Sequence, residues 1–427
     1  MTGTAQLPEA ERAVIRKVAI RLLPFLTFLY IIAYLDRVNV GFAALTMNSD
    51  IGLSNTAYGL GAGVFFIGYL LFELPSNLAL QRFGARRWIA RIMLSWGVVS
   101  MAMIYVEGPL SFYVLRFLLG VTEAGFFPGI IFYLTYWFPN RARGAAMGGF
   151  HIGIPLANII GAPISTAIMQ TSIFGLNGWR TMFLLEGLPA IVMAVVVLYV
   201  LRDSPRTAPW LTADEKRTLL DAIERDGHST RHVSLKAGLL SMHVWGFTLC
   251  YFGLCLGNYG FGFWVPKIIQ SLGEFSDREV GSLVVIPFAC SAIAMYLWGR
   301  HSDRTRERTW HVALPAFTGA AGFVCGSLSG NIWISMVSFS VGAMGIYSTV
   351  AVFWTMPTAV LAGSAAAGGI ALINSIGNVA GLLAPTLVGY FKDRTGSYTW
   401  GLAALASGLV LTGVMALVMG GRKRQDT

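Results

Sequence analysis

Long apolar runs broken by short polar turns set the pattern of this chain. The runs cover roughly residues 22–45, 57–80, 88–106, 109–136, 142–170, 180–201, 243–270, 279–299, 311–329, 331–361, 364–391 and 398–420. Each is about as long as the ~20 residues a helix needs to cross a bilayer. The pattern therefore predicts an all-α polytopic membrane protein with twelve transmembrane helices. The one long polar stretch, 202–242, splits the spans six and six. This predicts an N-terminal half over 1–201, a central cytoplasmic loop over 202–242 and a C-terminal half over 243–427. Within the loop, Thr212 followed by Glu215 fits a capping box, and Leu219, Leu220 and Ile223 give one apolar stripe. A short surface helix that tethers the halves is expected there.

Composition narrows the class. Of 427 residues, 55% are hydrophobic and 12% charged, against ~45–50% and ~25% in soluble domains. Mean hydropathy is +0.63. These values exclude a soluble globular domain, a disordered chain, a coiled coil and a disulfide scaffold. The net charge of +10 does not signal nucleic acid, because the basic residues sit in short clusters between apolar runs. Of the 31 Lys and Arg, 24 fall on one side of the predicted membrane and five on the other; Arg37 and Arg116 lie within spans. That bias places both termini and the central stretch in the cytoplasm. Cys250, Cys255, Cys290 and Cys325 lie in apolar runs without C-x-x-C spacing and read as small hydrophobes. Residues 1–21 are polar and basic and the first apolar run is too long for an h-region, so no cleavable signal peptide is expected.

The halves echo one another. Gln81-Arg82-Phe83-Gly84-Ala85-Arg86-Arg87 follows the second span, and Gly299-Arg300-His301-Ser302-Asp303-Arg304-Thr305-Arg306 follows the eighth. Repeated six-span halves are a transporter design, with the site between them near the midplane. An ionisable residue at that depth costs ~2.5–3.5 kcal/mol on insertion scales, so each needs a reason. The first half carries Asp36 and Arg37 in span one, Glu73 in span two, Arg116 and Glu123 in span four, and Glu186 in span six. The second half has none at comparable depth. It can offer only aromatic, amide and hydroxyl contacts.

Arg116 and Glu123 are seven apart, hence on one helix face but ~10 Å apart along the axis. Arg116 needs another partner, such as Asp36, Glu123 of a shifted conformer or an anionic ligand. Arg37 and Arg116 suit a carboxylate, because the guanidinium fork matches its two oxygens. Asp36 and Glu123 are the candidates for taking and releasing a proton. The alternative is a permanent salt-bridge network holding spans one, two and four together. Tyr69, His151, Trp354 and Asn374 are candidate ligand contacts, each with a packing alternative; Asn378 is a weaker one, and Asn158 lies seven residues from His151 in the same span. No Walker-type G-x-x-x-x-G-K-[ST], no H-E-x-x-H and no paired Cys/His metal spacing occurs. ATP drive, a bound metal, a cofactor and an enzyme are therefore not expected.

At these residues the chain resembles the major facilitator superfamily over essentially its whole length, and within it the anion:cation symporter family. The resemblance rests on Tyr34-Leu35-Asp36-Arg37-Val38-Asn39-Val40-Gly41-Phe42-Ala43, Phe72-Glu73-Leu74-Pro75-Ser76-Asn77 and Arg82-Phe83-Gly84-Ala85-Arg86-Arg87-Trp88. It rests also on Arg116-Phe117-Leu118-Leu119-Gly120-Val121-Thr122-Glu123-Ala124-Gly125 and Tyr136-Trp137-Phe138-Pro139. It implies proton-coupled uptake of a small organic anion by alternating access; a bacterial inner membrane is the expected location, and the two halves can form a functional monomer. It implies Asp36 and Glu123 as the proton-coupling pair. Arg37, Tyr69, Arg116, Trp354 and Asn374 are the implied substrate contacts. Where galactonate-type relatives carry a ligand-binding Gln in span five, this chain has Ile154, with His151 one turn earlier. Gln81 stands where the wider superfamily's loop signature has Asp. The nearest text is that of tartrate-type and 4-hydroxyphenylacetate-type permeases. The expected substrate is a hydroxy-dicarboxylate or sugar acid, with an aromatic carboxylate as the alternative; anion exchange, export and sensing without transport also stay open.

Overall fold

Apolar helices account for nearly all of the chain in the computed structural model, which describes residues 8–139, 142–143, 146, 153–227, 241–360 and 364–422. Helices α1 (Glu9–Asp50), α2 (Asn55–Phe83) and α3 (Ala85–Ala102) come first. The fourth span is broken into α4 (Pro109–Glu123) and α5 (Phe126–Thr135), followed by α6 (Gly153–Ile168) and α7 (Gly178–Val200). The central stretch carries α8 (Ala213–Gly227). Then come α9 (Met242–Gln270), α10 (Asp277–Thr305) and α11 (Thr309–Leu328). The tenth span is broken into α12 (Ile332–Phe353) and α13 (Thr355–Val360); α14 (Ser364–Thr395) and α15 (Thr399–Arg422) end the bundle. Among the described residues ten spans meet the length and hydropathy needed to cross a membrane. Helices α6 and α9 stand where the fifth and seventh spans are expected.

Local chemistry explains the breaks. Gly125 has φ of 85°, a left-handed conformation that glycine adopts without Cβ strain, and Ala124 before it is extended. A Cβ at Gly125 would also stand 2.3 Å from Ser76 Oγ. This turn ends α4 at Glu123. The helix expected in the central stretch is present, and its capping box is reciprocal. Thr212 N donates to Glu215 Oε2 at 2.8 Å, and Glu215 N donates to Thr212 Oγ1 at 3.2 Å. Lys17 Nζ lies 2.8 Å from the same carboxylate and holds its pKa below the usual range. The central helix is thereby fastened to the start of α1.

Within the first six spans α2 packs on α4 and α3 on α7; within the last six, α11 packs on α12 and α15. Glycines let the backbones meet. A Cβ at Gly120 would lie 2.0 Å from Phe65 O. Gly120→Val is expected to force α2 and α4 apart at a cost of about 3 kcal/mol or more. The check is the melting temperature and monodisperse yield in detergent; wild-type values would show that the contact is soft.

Among the described residues the two groups of spans meet chiefly through three pairs: α2 with α14, α6 with α10, and α1 with α9. Their tightest contacts lie at the end of the bundle opposite the central stretch, the far end. Tyr58 Oη of α2 donates across the two groups to Phe263 O of α9 at 2.9 Å, and within the last six spans Trp264 Nε1 braces this end by donating to Pro385 O at 3.0 Å. Gly59 and Gly389 sit so close to Pro385 O and Asn55 O that a Cβ would stand 2.2 and 2.1 Å from them. Asp393 of α14 caps the N-terminus of α2. Its carboxylate accepts from Asn55 N, Asn55 Nδ2, Thr56 N and Thr56 Oγ1, at 3.1, 2.7, 2.7 and 2.6 Å. Those backbone N–H groups have no partner within their own helix, and the helix dipole favours an anion there. The far end is therefore latched shut. Asp393→Asn is expected to weaken the latch by about 1 kcal/mol, roughly fivefold in the population open at the far end. Spin labels at Ser49 and Ser397 would report this as a longer distance component, and an unchanged distribution would remove Asp393 from the latch.

Candidate functional site

Successive residues on a helix point about 100° apart. Asp36 and Arg37 therefore leave α1 in different directions. Asp36 turns to α3 and is fully buried, accepting from Trp96 Nε1 at 2.8 Å and Ser100 Oγ at 3.0 Å. Arg37 turns to α4, where its Nη2 forms an ion pair with Glu123 Oε1. Its guanidinium lies 5.2 and 5.3 Å from the Phe65 and Tyr69 ring centres. Glu123 is 1% exposed; its Oε2, like Arg37 Nε, has no hydrogen-bond partner. The pair is buried, yet one carboxylate oxygen and one guanidinium nitrogen of it are without a hydrogen bond. Charges in a dry setting stay together only while both remain ionised.

Arg116 lies two turns nearer the far end. Its Nη2 donates to Ala62 O at 3.2 Å, and its guanidinium stands 5.2 Å from Phe65 and 5.9 Å from Phe263 of α9. Nε and Nη1 have no hydrogen-bond partner, and the side chain is fully buried. Asp36 is not its partner. Two aromatic rings and one carbonyl hold it at the closed far end.

A cavity of about 80 Å³ opens beside Arg37, between α1, α2, α5 and α6 on one side and α9, α12 and α14 on the other. By the volume a buried water needs, that is room for roughly half a dozen waters. Among the described lining residues Arg37 is the only cation. Tyr69, Trp354 and Asn374 are on the wall with it. The last six spans contribute aromatic and amide groups, as the absence of deep charges there predicts: Tyr251, Asn258, Tyr259 and Tyr347 besides Trp354 and the two asparagines. Tyr259 Oη donates to Asn378 Oδ1 at 3.0 Å, and Trp354 packs on Tyr251 with ring centres 4.8 Å apart. Asp36, Glu123 and Arg116 stand behind the wall rather than on it. Ile154 lines the cavity, while His151 lies outside the described residues.

Sequence reasoning missed Tyr30, Tyr34, Tyr251, Asn258, Tyr259 and Tyr347. A signal was available. Tyr30, Tyr34 and Arg37 follow helical spacing on α1, and Tyr251, Cys255, Asn258 and Tyr259 do so on α9. A polar stripe along an apolar helix marks the face turned from lipid. Glu186 is placed elsewhere: Ser165 Oγ and Asn39 Nδ2 donate to it at 2.6 and 3.0 Å, which ties α7 to α6 and α1. Glu73 is half-buried and does not line the cavity. Among the described residues no three His, Cys, Asp or Glu side chains gather as a metal site.

The proteins this chain is similar to in sequence are membrane transporters. The sequence profile of the Major Facilitator Superfamily matches residues 26–385 and 247–426. An Agrobacterium vitis protein named for tartrate transport is 47% identical over 96% of this chain and 92% of its own. A quinolone resistance transporter of Acinetobacter baumannii is 41% identical over 97% and 98%. Among solved structures, the partially occluded inward-open xylose transporter XylE of E. coli superposes with a TM-score of 0.75 at 14% identity, covering 95% of this chain and 98% of that one. At that identity the likeness is one of fold alone.

Proposed function

The chain belongs to the Major Facilitator Superfamily, and from that premise we propose that it takes up a small organic anion together with protons by alternating access. It is a multi-pass transporter, not an enzyme. One observation carries the reading: the single guanidinium among the described residues of the cavity wall is already neutralised by a buried carboxylate. A substrate carboxylate arriving at Arg37 would stand beside ionised Glu123, two anions sharing one cation in a dry site. Such sharing is strongly unfavourable. Protonation of Glu123 removes the competitor and leaves the guanidinium fork to the substrate. Proton and anion therefore bind together, which is symport.

Asp36 is the second proton site in this reading. Its two donors leave it without a cation, so a proton there costs no ion pair. Tyr69, Trp354 and Asn374 hold the rest of the anion, and His151 contributes from span five. Arg116 meets the anion when α9 draws Phe263 away and the far end opens. The halves 1–201 and 243–427 rock about this site, joined by 202–242. The central stretch and both termini face the cytoplasm of a bacterial cell, by the charge bias. The chain acts as a monomer with lipid around it.

A cavity this small favours a compact hydroxy-dicarboxylate or sugar acid of the tartrate type, in keeping with the name of the Agrobacterium relative. An aromatic carboxylate is the second reading, favoured by the rings on the wall. Proteoliposomes under an inward pH gradient decide between them. Tartrate and sugar acids are expected to give proton-coupled currents and radiolabel uptake, aromatic acids little. Anion binding without flux would overturn transport, and flux indifferent to the gradient would overturn coupling.

A further inference from the structure

A second recess lies at the end of the bundle that carries the central stretch. Its volume is about 800 Å³, and Arg16, Lys17 and Arg21 of α1 line it with Phe25, Val200 and Trp210. It shares no described lining residue with the transport cavity. Lys17 is spoken for by Glu215. Among the described residues no carboxylate pairs with Arg16 or Arg21, and both are exposed. The Arg21 guanidinium stands 5.7 Å from the Trp210 ring centre. Trp210 is itself braced by stacking on Trp137 at 5.6 Å and 12°. The recess thus has a rigid aromatic wall and two guanidinium forks without counter-charge.

Deeper along α1 the surface turns apolar without a break. A groove of about 440 Å³ runs over Ile20, Leu23, Pro24, Thr27, Phe28 and Ile31. Ile20 lines both the recess and the groove, and Ile20 and Phe28 are 64% and 49% exposed. A cationic recess at the membrane boundary that continues into an apolar groove at hydrocarbon depth matches an amphiphile. A free anion would leave the groove empty, and a neutral lipid would leave the arginines uncompensated.

The geometry points to a binding site for one anionic glycerophospholipid, its phosphate on Arg16 and Arg21 and its acyl chains along the α1 groove. Arginine suits the phosphate because its planar fork bonds two oxygens at once, and the tryptophan suits the interface because its ring is amphipathic. Bound there, the lipid bridges the start of α1, the end of α7 and the central stretch.

Native mass spectrometry of the full chain in detergent tests this, with phosphatidylglycerol and phosphatidylcholine of the same acyl chains as probes. Phosphatidylglycerol is expected to bind the more tightly. Arg16→Gln/Arg21→Gln is expected to weaken it by on the order of 20-fold, near the level of phosphatidylcholine. Arg304→Gln/Arg306→Gln removes the same charge from another basic loop and is expected to leave it unchanged. Ile20→Trp fills the groove without touching charge and is expected to weaken both lipids. Inorganic phosphate is expected not to compete. Equal binding of the two lipids, phosphatidylglycerol binding retained in the double variant, equal loss in the control pair or full competition by phosphate would each overturn the site. Should Arg16→Gln/Arg21→Gln fail to fold, Ile20→Trp decides, since undiminished adducts there would overturn it alone.

Discussion

Glu123→Gln is expected to lose proton-driven accumulation completely while still binding and exchanging the anion. Glutamine has the shape of the protonated acid and cannot ionise. In this variant Arg37 is permanently free of its competitor, so the anion site is always ready. Uptake driven by an inward pH gradient falls to the level without one, whereas counterflow of labelled against unlabelled anion persists. The largest visible effect is on the pH dependence. Wild-type binding weakens as pH rises and Glu123 ionises against the incoming carboxylate, and the variant's binding is expected to stay flat. The paired assay, gradient-driven uptake and counterflow on one preparation, separates coupling from transport. Full accumulation by Glu123→Gln would sink the assignment of Glu123 and move the coupling to Asp36.

The second large effect is at Arg37. Arg37→Ala removes the only cation on the described cavity wall and strands Glu123 in a buried site. Breaking one side of a buried pair costs about 3–5 kcal/mol, so a lower melting temperature is expected. Anion affinity is expected to fall by on the order of 100-fold, the worth of two charge-assisted hydrogen bonds. Stability and binding are separable. Arg37→Ala/Glu123→Gln removes both charges and is expected to recover most of the melting temperature and none of the binding. Arg37→Lys keeps the charge but loses the fork, so it should bind weakly and couple still. Anion-induced thermal stabilisation in these variants is the measurement. Near wild-type stabilisation of Arg37→Ala would show that the anion is held elsewhere.

The spans, their order and the long central stretch could be read from hydropathy, because burial in lipid is a property of each segment by itself. The capping box at Thr212 and Glu215 was legible for the same reason: both partners lie within one helical turn. So was the imbalance of deep charge between the halves, which foretold a wall of rings and amides on one side. The break at Gly125 was harder. Glycine and proline crowd many spans here, and only the left-handed φ of Gly125, with its contact on Ser76, shows at which glycine the fourth span breaks.

The pairing of the charges was beyond local reading. Asp36 and Arg37 are neighbours in sequence, yet the helix turns one to Trp96 and Ser100 and the other to Glu123. Arg116 shares a face with Glu123 and still lies off the cavity, because Phe263 of a distant helix covers it. The sequence by itself determined which elements form, which of them carry charge at membrane depth and the class of chemistry each half can supply. Tertiary structure alone decided which guanidinium faces the cavity, which carboxylate neutralises it and which end of the bundle is latched. Those outcomes depend on how each helix is rotated about its axis and on which helix lies across from it. Contacts between residues from 60 to 338 positions apart set both, and no local window along the chain contains them.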